Sequence, residues 1–389
     1  MGLAAVLLLL VAACGTPIAG ESWAGLSTDG RYVYVAYSEQ VFRIDTQAPK
    51  DPPNSTSKHI EWLSQAPGKT HMYAPPALSD TALYSGAYDS KLYAFSLKGG
   101  ALPGWVPPLG DGGKLFGAAT LDTAHNVLYQ GMATDGLRAY NPATGQELAR
   151  YQGTKFGVWS APIVVGDTVY FTSLDHNLYA LNAGTLYYKW QIDIGGPAAD
   201  SPVYDPTTGL LFAGTYSNEV VAIDPKLNPP QIVHRFATGN WVWGSPVIDQ
   251  GTLYFGDLNG TIFALDPKTF AVKWSAMHPD DAGGFRGRLA IVPAAHPNGA
   301  KDAVRLLIGG SENKRVYAFN ADTGALVWSS TPVSDKILSN MLIVKADVIF
   351  ATQDQNDLIV AMNTDSGQTD WQVSLNAEMP RFQPTPQSP

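Results

Sequence analysis

The sequence is poor in cysteine and in charge. Cys14 is the only cysteine among 389 residues, which excludes an intramolecular disulfide and any metal site built from several thiolates. Charged residues make up 15% of the chain, and 34 acidic side chains outnumber 25 basic ones, so the formal net charge is −9. Nucleic-acid binding draws its affinity from clustered Lys and Arg side chains. Because no such cluster occurs, the charge balance argues against nucleic acid as a partner.

Long amphipathic helical patterns and coiled-coil heptads are also missing. In their place stand short runs rich in β-branched and aromatic residues, separated by turn residues drawn from 38 Gly and 28 Pro. A hydrophobic share of 45% is enough for a globular core. The composition therefore predicts an all-β protein.

The longest apolar run, residues 3–13, is too short to span a membrane as a mature helix. It ends in small residues before Cys14, which predicts a lipoprotein-type signal peptide over 1–14, lipidation at Cys14 and a short tether over 15–22. The expected location is the bacterial cell envelope, with a lipid anchor in the outer membrane or on the outer face of the cell membrane. No Lys or Arg precedes the run, where signal peptides normally carry one or two, so a plain secretory peptide or a disordered leader stays open.

An apolar triplet, usually with alanine at its centre, recurs eight times between 41 and 54 residues apart. Its central residues are Arg43, Ala94, Ala139, Ala180, Ala222, Ala264, Ala318 and Ala361. This period is that of a four-stranded propeller blade. The repeat predicts an all-β, eight-bladed β-propeller of four-stranded antiparallel blades over residues 23–377, followed by a Pro-rich, disordered tail over 378–389.

Most repeats close on a tryptophan that follows a turn. The closing residues are Trp105, Trp190, Trp274, Trp328 and Trp371, with Trp62 assigned to the same place in the first repeat. In the two remaining repeats, Tyr151 and Phe236 are predicted to substitute a smaller aromatic. We expect these tryptophans to belong to the core.

Three insertions lengthen the repeats. The first repeat carries one at 46–57, and the longest repeat carries two, at 277–287 and 294–303. One of the last two precedes a predicted inner strand and the other follows it. They are therefore predicted to lie on opposite faces of the disc, where loops on a rigid ring commonly carry binding functions.

The combination of Leu-Tyr-x-Gly, Tyr-Ala-Leu/Phe-Asn/Asp and Thr-Gly-x-x-x-Trp resembles the repeat of pyrroloquinoline-quinone-like (PQQ-like) β-propellers, best in residues 169–190, 253–274 and 306–328. Eight blades behind a short lipidated leader are similar to the BamB family of outer-membrane assembly lipoproteins. That resemblance implies a non-catalytic scaffold that binds protein partners in the envelope and is attached to the membrane through Cys14. We expect the chain itself to be a monomer.

The same resemblance implies an alternative, a quinoprotein-type oxidoreductase or ligand sensor that binds PQQ or a small ligand at the channel mouth. Such enzymes hold PQQ over Ca²⁺ and stack it between a Trp and a vicinal disulfide, which a chain with one cysteine cannot form. No Glu, Asn and Asp set matches position by position, and the seven His are scattered. We therefore expect no catalytic residue, no metal and no cofactor, and retain PQQ with Ca²⁺ for the alternative only.

One candidate site remains, a ring of residues that each precede a predicted inner strand. The ring consists of Trp23, Tyr73, Phe116, Trp159, Ala199, Trp243, Arg288 and Leu338, with Trp241 and Arg286 close by in sequence. Its aromatic and Arg side chains suit a cup for a peptide or small ligand. The alternative, favoured for the aromatics, is that they wedge between blades. Arg288 fits that alternative least, because an Arg seldom fills an apolar wedge unpaired.

Overall fold

The computed structural model describes residues 24–52, 55–68, 70–108, 113–134, 136–279 and 283–382. The predicted signal peptide, Cys14, the tether and Trp23 lie outside this part of the chain. Within it, eight antiparallel sheets follow one another around a ring, and the predicted eight-bladed β-propeller is confirmed. None of the helices in the described part is long and apolar enough to cross a membrane.

Each blade runs from an inner strand beside the central channel to an outer strand at the rim. The strands of blades 1 to 4 are β1 (Gly25–Thr28), β2 (Tyr32–Tyr37), β3 (Gln40–Asp45) and β4 (Trp62–Gln65); β5 (Ala77–Leu78), β6 (Ala82–Gly86) and β7 (Leu92–Ser96); β8 (Thr120–Asp122), β9 (Val127–Gly131), β10 (Leu137–Tyr140) and β11 (Glu147–Tyr151); β12 (Ile163–Val165), β13 (Thr168–Thr172), β14 (Asn177–Asn182) and β15 (Tyr188–Asp193).

Blades 5 to 8 repeat the same order. Their strands are β16 (Val203–Tyr204), β17 (Leu211–Thr215), β18 (Glu219–Asp224) and β19 (Gln231–Ala237); β20 (Val247–Asp249), β21 (Thr252–Gly256), β22 (Thr261–Leu265) and β23 (Val272–Met277); β24 (Ala290–Ala295), β25 (Val304–Gly310), β26 (Val316–Asn320) and β27 (Leu326–Ser329); β28 (Leu342–Val344), β29 (Asp347–Ala351), β30 (Ile359–Asn363) and β31 (Thr369–Val373). The helical elements are α1 (Leu375–Glu378) and 3₁₀ turns at Pro297–Gly299 and Met379–Phe382.

Blade 2 departs from the prediction of four strands, because its described residues form three. Where the fourth strand is expected, Pro103, Pro107 and Pro108 supply no N–H for a ladder. A single bridge between Phe95 and Ala101 covers part of the open edge, and the indole N–H of Trp105 donates to the carbonyl oxygen of Leu92 at 3.2 Å.

The hydrophobic core is divided into eight clusters, and each lies between two neighbouring blades. The middle strands are buried on both faces, as in β21, whereas the outer strand β23 of the same blade alternates exposed and half-buried residues. A middle strand is covered by a blade on each side, so its run is continuously apolar rather than alternating. This explains why the apolar triplets of the sequence are so regular.

The closing tryptophans join each blade to the next one. Trp274 pairs with Ala264 in its own blade, and its indole N–H donates to the carbonyl oxygen of Ala321 in blade 7 at 2.9 Å. The ring packs on Gly324, which has φ 74° and whose Cβ, if present, would lie 2.6 Å from the indole. Glycine is required there by both the backbone conformation and the space.

Two other junctions repeat this arrangement. Trp328 donates to the carbonyl oxygen of Thr364 at 2.9 Å over Gly367, and Trp62 donates to that of Leu97 at 3.0 Å. Trp328 and Trp371 are buried, whereas Trp62, Trp105, Trp190 and Trp274 are half-buried at the rim. The six tryptophans therefore hold neighbouring blades together, although four reach the surface.

The prediction that Tyr151 and Phe236 replace the tryptophan is wrong. The residue that pairs with the central alanine is Ala149 in blade 3 and His234 in blade 5. The following blade compensates for each change in volume. Leu186 stands where other blades have glycine and packs in one cluster with Ala149, and Phe270 stacks on His234 at 5.2 Å.

The ring closes without exchanging strands between its ends, because β1 pairs with β2 of its own blade. The insertion at 46–57 performs the closure instead. Ser57 forms a parallel bridge with Gln372 of β31, and the N–H of Lys58 donates to the Gln372 carbonyl oxygen at 2.9 Å. The Lys58 ammonium lies 4.9 Å from the ring of Trp371. The insertion therefore adds to the outer edge of blade 8.

We call the junction between the 46–57 insertion and β31 the seam. A histidine connects the seam to the segment that follows β31. His59 lies 2.7 Å from a carboxylate oxygen of Asp51 and 2.6 Å from one of Glu378, and the other Glu378 oxygen accepts the N–H of Ile60 at 2.9 Å. Glu378 is buried at the end of α1, which Ser374 caps. Residues 378–382, assigned to the disordered tail from the sequence, are therefore helical, and 383–389 lie outside the described residues.

The two insertions of the longest repeat lie at opposite ends of β24, as predicted. The described residues of the first insertion, 277–279 and 283–287, lead into β24 from blade 6, and the second insertion connects β24 to β25. Because β24 runs along the channel, the first insertion lies on the face that carries the candidate site and the second lies on the other face.

We predict that Trp274→Ala lowers the free energy of unfolding by about 3–5 kcal/mol, because the change opens a cavity at the junction of blades 6 and 7. Chemical denaturation checks this value. Tyr187→Ala is the matched control, since this aromatic is 71% exposed and its loss is expected to change stability by less than about 0.5 kcal/mol. Equal effects of the two substitutions would contradict the assigned role of Trp274.

The seam also carries two groups whose pKa values are raised. Hydrogen bonds to Asp51 and Glu378 raise the pKa of His59 above its ordinary value. Burial, reinforced by the neighbouring Asp370, raises the pKa of Asp347 to about 6. A pKa raised by folding means that the folded state binds the proton more tightly, so the stabilisation is present at low pH and is lost as pH rises through the folded pKa.

We therefore expect the free energy of unfolding to fall as pH rises from about 5, first as Asp347 loses its proton and then, at higher pH, as His59 does. His59→Gln removes one of the two, and denaturation at pH 5.5 and pH 8 is expected to show a smaller difference than in the unchanged chain. His296→Gln, at an exposed site in the connection between β24 and β25, serves as the control. A His59→Gln chain with an undiminished pH dependence would show that the histidine does not report on the seam.

Candidate binding site at the channel mouth

The segments that lead from each outer strand into the next inner strand meet at one mouth of the central channel. They enclose a cavity of about 640 Å³. The predicted residues that line it are Phe116, Trp159, Ala199, Trp243, Arg286, Arg288 and Leu338. Their positions follow from the repeat, because each residue stands just before an inner strand.

Close packing between these lead-in segments makes the mouth rigid. A Cβ at Gly117 would lie 2.3 Å from the carbonyl oxygen of Trp159, and one at Gly287 would lie 2.0 Å from that of Ser339. Hydrogen bonds cross between blades as well, for example from the Thr120 hydroxyl to the Pro162 carbonyl oxygen at 2.6 Å. Side chains on this ring are therefore presented by a backbone that neighbouring blades hold in place.

On one side of the mouth, Phe116 and Trp159 line the cavity, and Tyr88 and Tyr73 continue from them as a row of half-buried rings in contact. Tyr73, Tyr88, Phe116 and Trp159 have neighbouring centroids 5.3, 5.1 and 4.5 Å apart, and we call this set the aromatic arc. The arc runs from blade 2 to blade 4. Tyr88 belongs to the β6–β7 hairpin, which turns on the same face, and the repeat gives no signal for it.

On the other side, a second aromatic group is packed more tightly. The ring of Tyr216 lies between those of Trp241 and Trp243, at 4.8 and 4.9 Å, and the guanidinium of Arg286 lies 4.4 Å from the ring of Trp243. Arg286 also forms an ion pair with Glu312 at 2.7 Å. Trp241 and Trp243 each stack on Tyr216, and Arg286 contacts Trp243 and Glu312, which supports the packing interpretation for these three.

Tyr216 itself was not expected from the sequence. It is buried, and its hydroxyl has no hydrogen-bond partner among the residues that the structure describes. Burial raises the pKa of Tyr216 well above its ordinary value, so the phenol stays neutral. Its role at the mouth is to hold the two tryptophans in a stack.

Arg288 differs from these residues. Its backbone is fixed, because its N–H donates to the side-chain oxygen of Asn340 at 2.8 Å and its carbonyl oxygen accepts the N–H of Met341 at 3.1 Å. Its side chain is exposed, and no described residue forms an ion pair or hydrogen bond with the guanidinium. Asp200 is the acidic residue of the lining, and its carboxylate accepts the N–H groups of Ser201 and Ser245 at 2.7 and 2.8 Å.

The predicted site residues are thus divided. Phe116, Trp159 and Arg288 face the cavity, and Tyr73 joins them through Tyr88. Trp243 and Arg286 also line it but are engaged in packing, and Trp241 lies behind Trp243 across the Tyr216 ring. Trp23 lies outside the described residues. The proposed binding role of these residues remains a prediction.

A family model described as outer membrane protein assembly factor BamB matches residues 104–227 and 287–387 of the chain. Among curated proteins, polyvinylalcohol dehydrogenase of Sphingopyxis sp. (strain 113P3) is 24% identical over 59% of this chain and 35% of its own length. The dehydrogenase subunit of the quinone alcohol dehydrogenase of Gluconobacter oxydans (strain 621H) is 30% identical over 38% of this chain and 21% of its own length. The chain therefore spans about a third or less of the length of these relatives.

Three solved structures share the fold. BamB from Moraxella catarrhalis has a TM-score of 0.63 and 14% identity, covering 89% of this chain and 94% of that one. The computationally designed Ika8 protein has a TM-score of 0.69 and 14% identity, covering 89% of this chain and 98% of that one. Saccharomyces cerevisiae Sqt1 has a TM-score of 0.68 and 15% identity, covering 86% of this chain and 93% of that one. At such identities these likenesses concern the fold alone.

Proposed function

Because the chain belongs to the family of the outer membrane protein assembly factor BamB, we propose that it is a non-catalytic interaction scaffold of the bacterial cell envelope. Its PQQ-like propeller presents the channel-mouth face to a protein partner, and assembly of outer-membrane proteins is the process that this family membership suggests. The observation that carries the proposal is Arg288, an exposed guanidinium with no partner among the described residues, which stands on a fixed backbone across the mouth from the half-buried rings of Phe116 and Trp159.

The composition of the mouth supports contact with a protein. Aromatic residues and Arg are enriched where protein interfaces carry most of their binding energy. Phe116 and Trp159 are half-buried and line the cavity, so a partner gains contact area without first unpacking the core. The rigid backbone also favours binding, because little conformational entropy is lost when the partner docks.

Attachment to the membrane is the second part of the proposal. Cys14 lies ahead of a tether of eight residues, 15–22, and lipidation there would hold the propeller close to the membrane surface. The propeller then meets envelope partners within a restricted volume, which raises their effective concentration.

A second candidate function is quinone-dependent alcohol oxidation, which the name of the Gluconobacter oxydans relative gives for that protein. The residues at the mouth do not fit a quinone held over Ca²⁺. The Asp200 carboxylate accepts two backbone N–H groups, and the ring of Trp243 contacts both Tyr216 and Arg286. No three His, Cys, Asp or Glu of the described chain form a metal-binding group. We derive no catalytic step from this candidate.

Addition of PQQ and Ca²⁺ to the purified chain tests this second candidate. We expect the melting temperature to stay unchanged and no quinone absorption to remain with the protein after gel filtration. A ligand that binds only the folded state raises the melting temperature by mass action. A rise together with retained absorption would favour the oxidoreductase and contradict the scaffold without a cofactor.

Arg288→Ala tests the scaffold. We expect about ten-fold weaker recovery of partner proteins from solubilised membranes, because a charge-assisted contact is lost, while the melting temperature stays nearly unchanged. Lys301→Ala, an exposed cation in the loop on the opposite face, is the matched control and is expected to recover partners normally.

A large drop in melting temperature for Arg288→Ala would assign Arg288 to packing, and unchanged recovery would remove the channel mouth from the interface. Cys14→Ser separates anchoring from recognition in the same assay. If the anchor only localises the protein, purified Cys14→Ser chain added to solubilised membranes retains its partners.

A further inference from the structure

A second cavity lies on the face of the disc opposite the channel mouth. The turns β1–β2, β5–β6 and β8–β9 help to enclose about 620 Å³ there, and the structure describes the lining segments without a gap. These turns follow the inner strands, whereas the segments that form the mouth precede them. We propose that this space, the blade-2 cavity, binds an arginine side chain of a partner protein. The site lies apart from the mouth, so the inference goes beyond the proposed function and gives the scaffold a second contact.

The walls of the blade-2 cavity are mainly apolar. Leu102 and Pro103, which stand where blade 2 lacks its fourth strand, form one wall. Leu78 and Leu121 on the neighbouring inner strands are half-buried and form another, and the buried ring of Tyr84 lies between the two blades. Such walls suit the methylene stem of a long side chain, which packs on apolar surface while its polar end stays at the rim.

A backbone carbonyl group in the lining differs from its equivalents in other blades. At three junctions the indole N–H of the closing tryptophan donates to the carbonyl oxygen three residues after the central alanine of the next blade. The accepting residues are Leu97, Ala321 and Thr364. Pro142 holds this position in blade 3, and it lines the blade-2 cavity.

The indole of Trp105 leaves the Pro142 carbonyl without this donor. Its N–H donates to the carbonyl oxygen of Leu92 in its own blade at 3.2 Å. The Pro142 oxygen accepts the Tyr84 hydroxyl at 2.8 Å and no other group of the described chain. An acceptor that elsewhere receives an N–H is therefore available to an N–H of a ligand in the cavity.

The charged residues of the lining are both acidic. Asp29 is engaged, since its carboxylate accepts the N–H of Tyr32 at 2.7 Å. Asp80 is exposed, and no described residue forms an ion pair or hydrogen bond with its carboxylate. The turn that carries Asp80 is fixed, because the Ser79 hydroxyl accepts the N–H of Ala82 at 3.0 Å. Asp80 thus presents a carboxylate from a defined position.

Cations of the chain that are near in sequence do not line the cavity. Arg31 pairs with Asp45 at 2.7 Å, His125 lies 2.6 Å from Asp122, and Lys98 is exposed in the turn after β7. The lining itself therefore favours a positive group on the ligand.

An arginine side chain satisfies these features together. Its stem is apolar, and its guanidinium carries five N–H donors in a planar fork, so one group can donate to the Asp80 carboxylate and to the Pro142 oxygen. A metal ion fits less well, because no three His, Cys, Asp or Glu of the described residues form a metal-binding group. Arg381 near the end of this chain already pairs with Glu378, so a partner is the expected source.

Titration of the purified chain with blocked synthetic peptides tests the proposal, followed by saturation-transfer nuclear magnetic resonance at about 150 mM salt, which screens distant charges. The probe is Ala-Ala-Arg-Ala-Ala. One control peptide carries citrulline, which keeps the shape of arginine without its charge, and another carries Glu. We expect the probe to bind about ten-fold more tightly than the citrulline peptide, because a charge-assisted contact is lost. The Glu peptide is expected to bind most weakly.

Substitutions assign the contact to the blade-2 cavity. Asp80→Lys is expected to reverse the preference, so that the Glu peptide binds more tightly than the Arg peptide, which a misfolded variant cannot do. Ala143→Trp fills the cavity from its exposed side and is expected to weaken the Arg peptide at least about ten-fold with an unchanged melting temperature. Asp302→Lys, an exposed acid on the same face in blade 7, is the matched charge reversal and is expected to change neither affinity nor ranking.

Equal binding of the Arg and citrulline peptides, or an unchanged preference in Asp80→Lys, would overturn the proposal. Concentration-dependent self-association that Asp80→Lys abolishes would identify a second copy as the occupant and contradict a separate partner. If no peptide binds but recovery of partners depends on Arg288, this inference fails and the proposed scaffold stands. If the Arg peptide binds through Asp80 while no partner is recovered from membranes, the cavity is a binding site and the scaffold fails.

Discussion

The whole ring depends on filling the space between neighbouring blades with a nearly constant volume. Where one blade contributes tryptophan at the rim, the next contributes glycine, as at Trp274 with Gly324. Where the tryptophan is replaced by Ala149, the next blade supplies Leu186, and His234 meets Phe270. Because each core cluster lies between two blades, a shortage of volume at one junction would weaken the closed ring at that point. The last junction uses Lys58 over Trp371, so the same rule extends to the closing seam.

The mouth of the channel follows from this packing. Tight junctions at the rim bring the lead-in segments so close that Gly117 and Gly287 leave no room for a side chain. Only side chains that are not already packed against their neighbours can then contact a ligand or partner at the mouth. Trp241 and Trp243 are packed on the ring of Tyr216. By contrast, the indole N–H of Trp159 and the guanidinium of Arg288 have no hydrogen-bond partner among the described residues.

The repeat in the sequence predicted the eight blades because each middle strand is covered on both sides and must be apolar. The outer strands were harder to assign. A bulge follows the central alanine in blade after blade, and ten residues separate that alanine from tryptophan in four repeats. The same spacing points to Ala149, but an aromatic was expected there because the compensating Leu186 belongs to the next repeat. The contact of Tyr88 with Phe116 and the bridge between Ser57 and Gln372 were not predicted for a related reason. Both join residues that are far apart in the sequence and that no local pattern connects.

The difference between a cofactor site and a peptide site on this fold comes down to how the aromatic rings at the mouth are arranged. A planar quinone needs an open ring face, and the ring of Trp243 already contacts Tyr216 and Arg286. The rings of the aromatic arc contact one another at steep angles, so together they form no flat plate for a planar cofactor. Across the mouth lies Arg288, a cation without a partner among the described residues, on a backbone fixed by Asn340 and Met341. A protein surface can use the half-buried rings of Phe116 and Trp159 together with this cation, whereas a planar cofactor finds the ring of Trp243 already in contact with Tyr216 and Arg286.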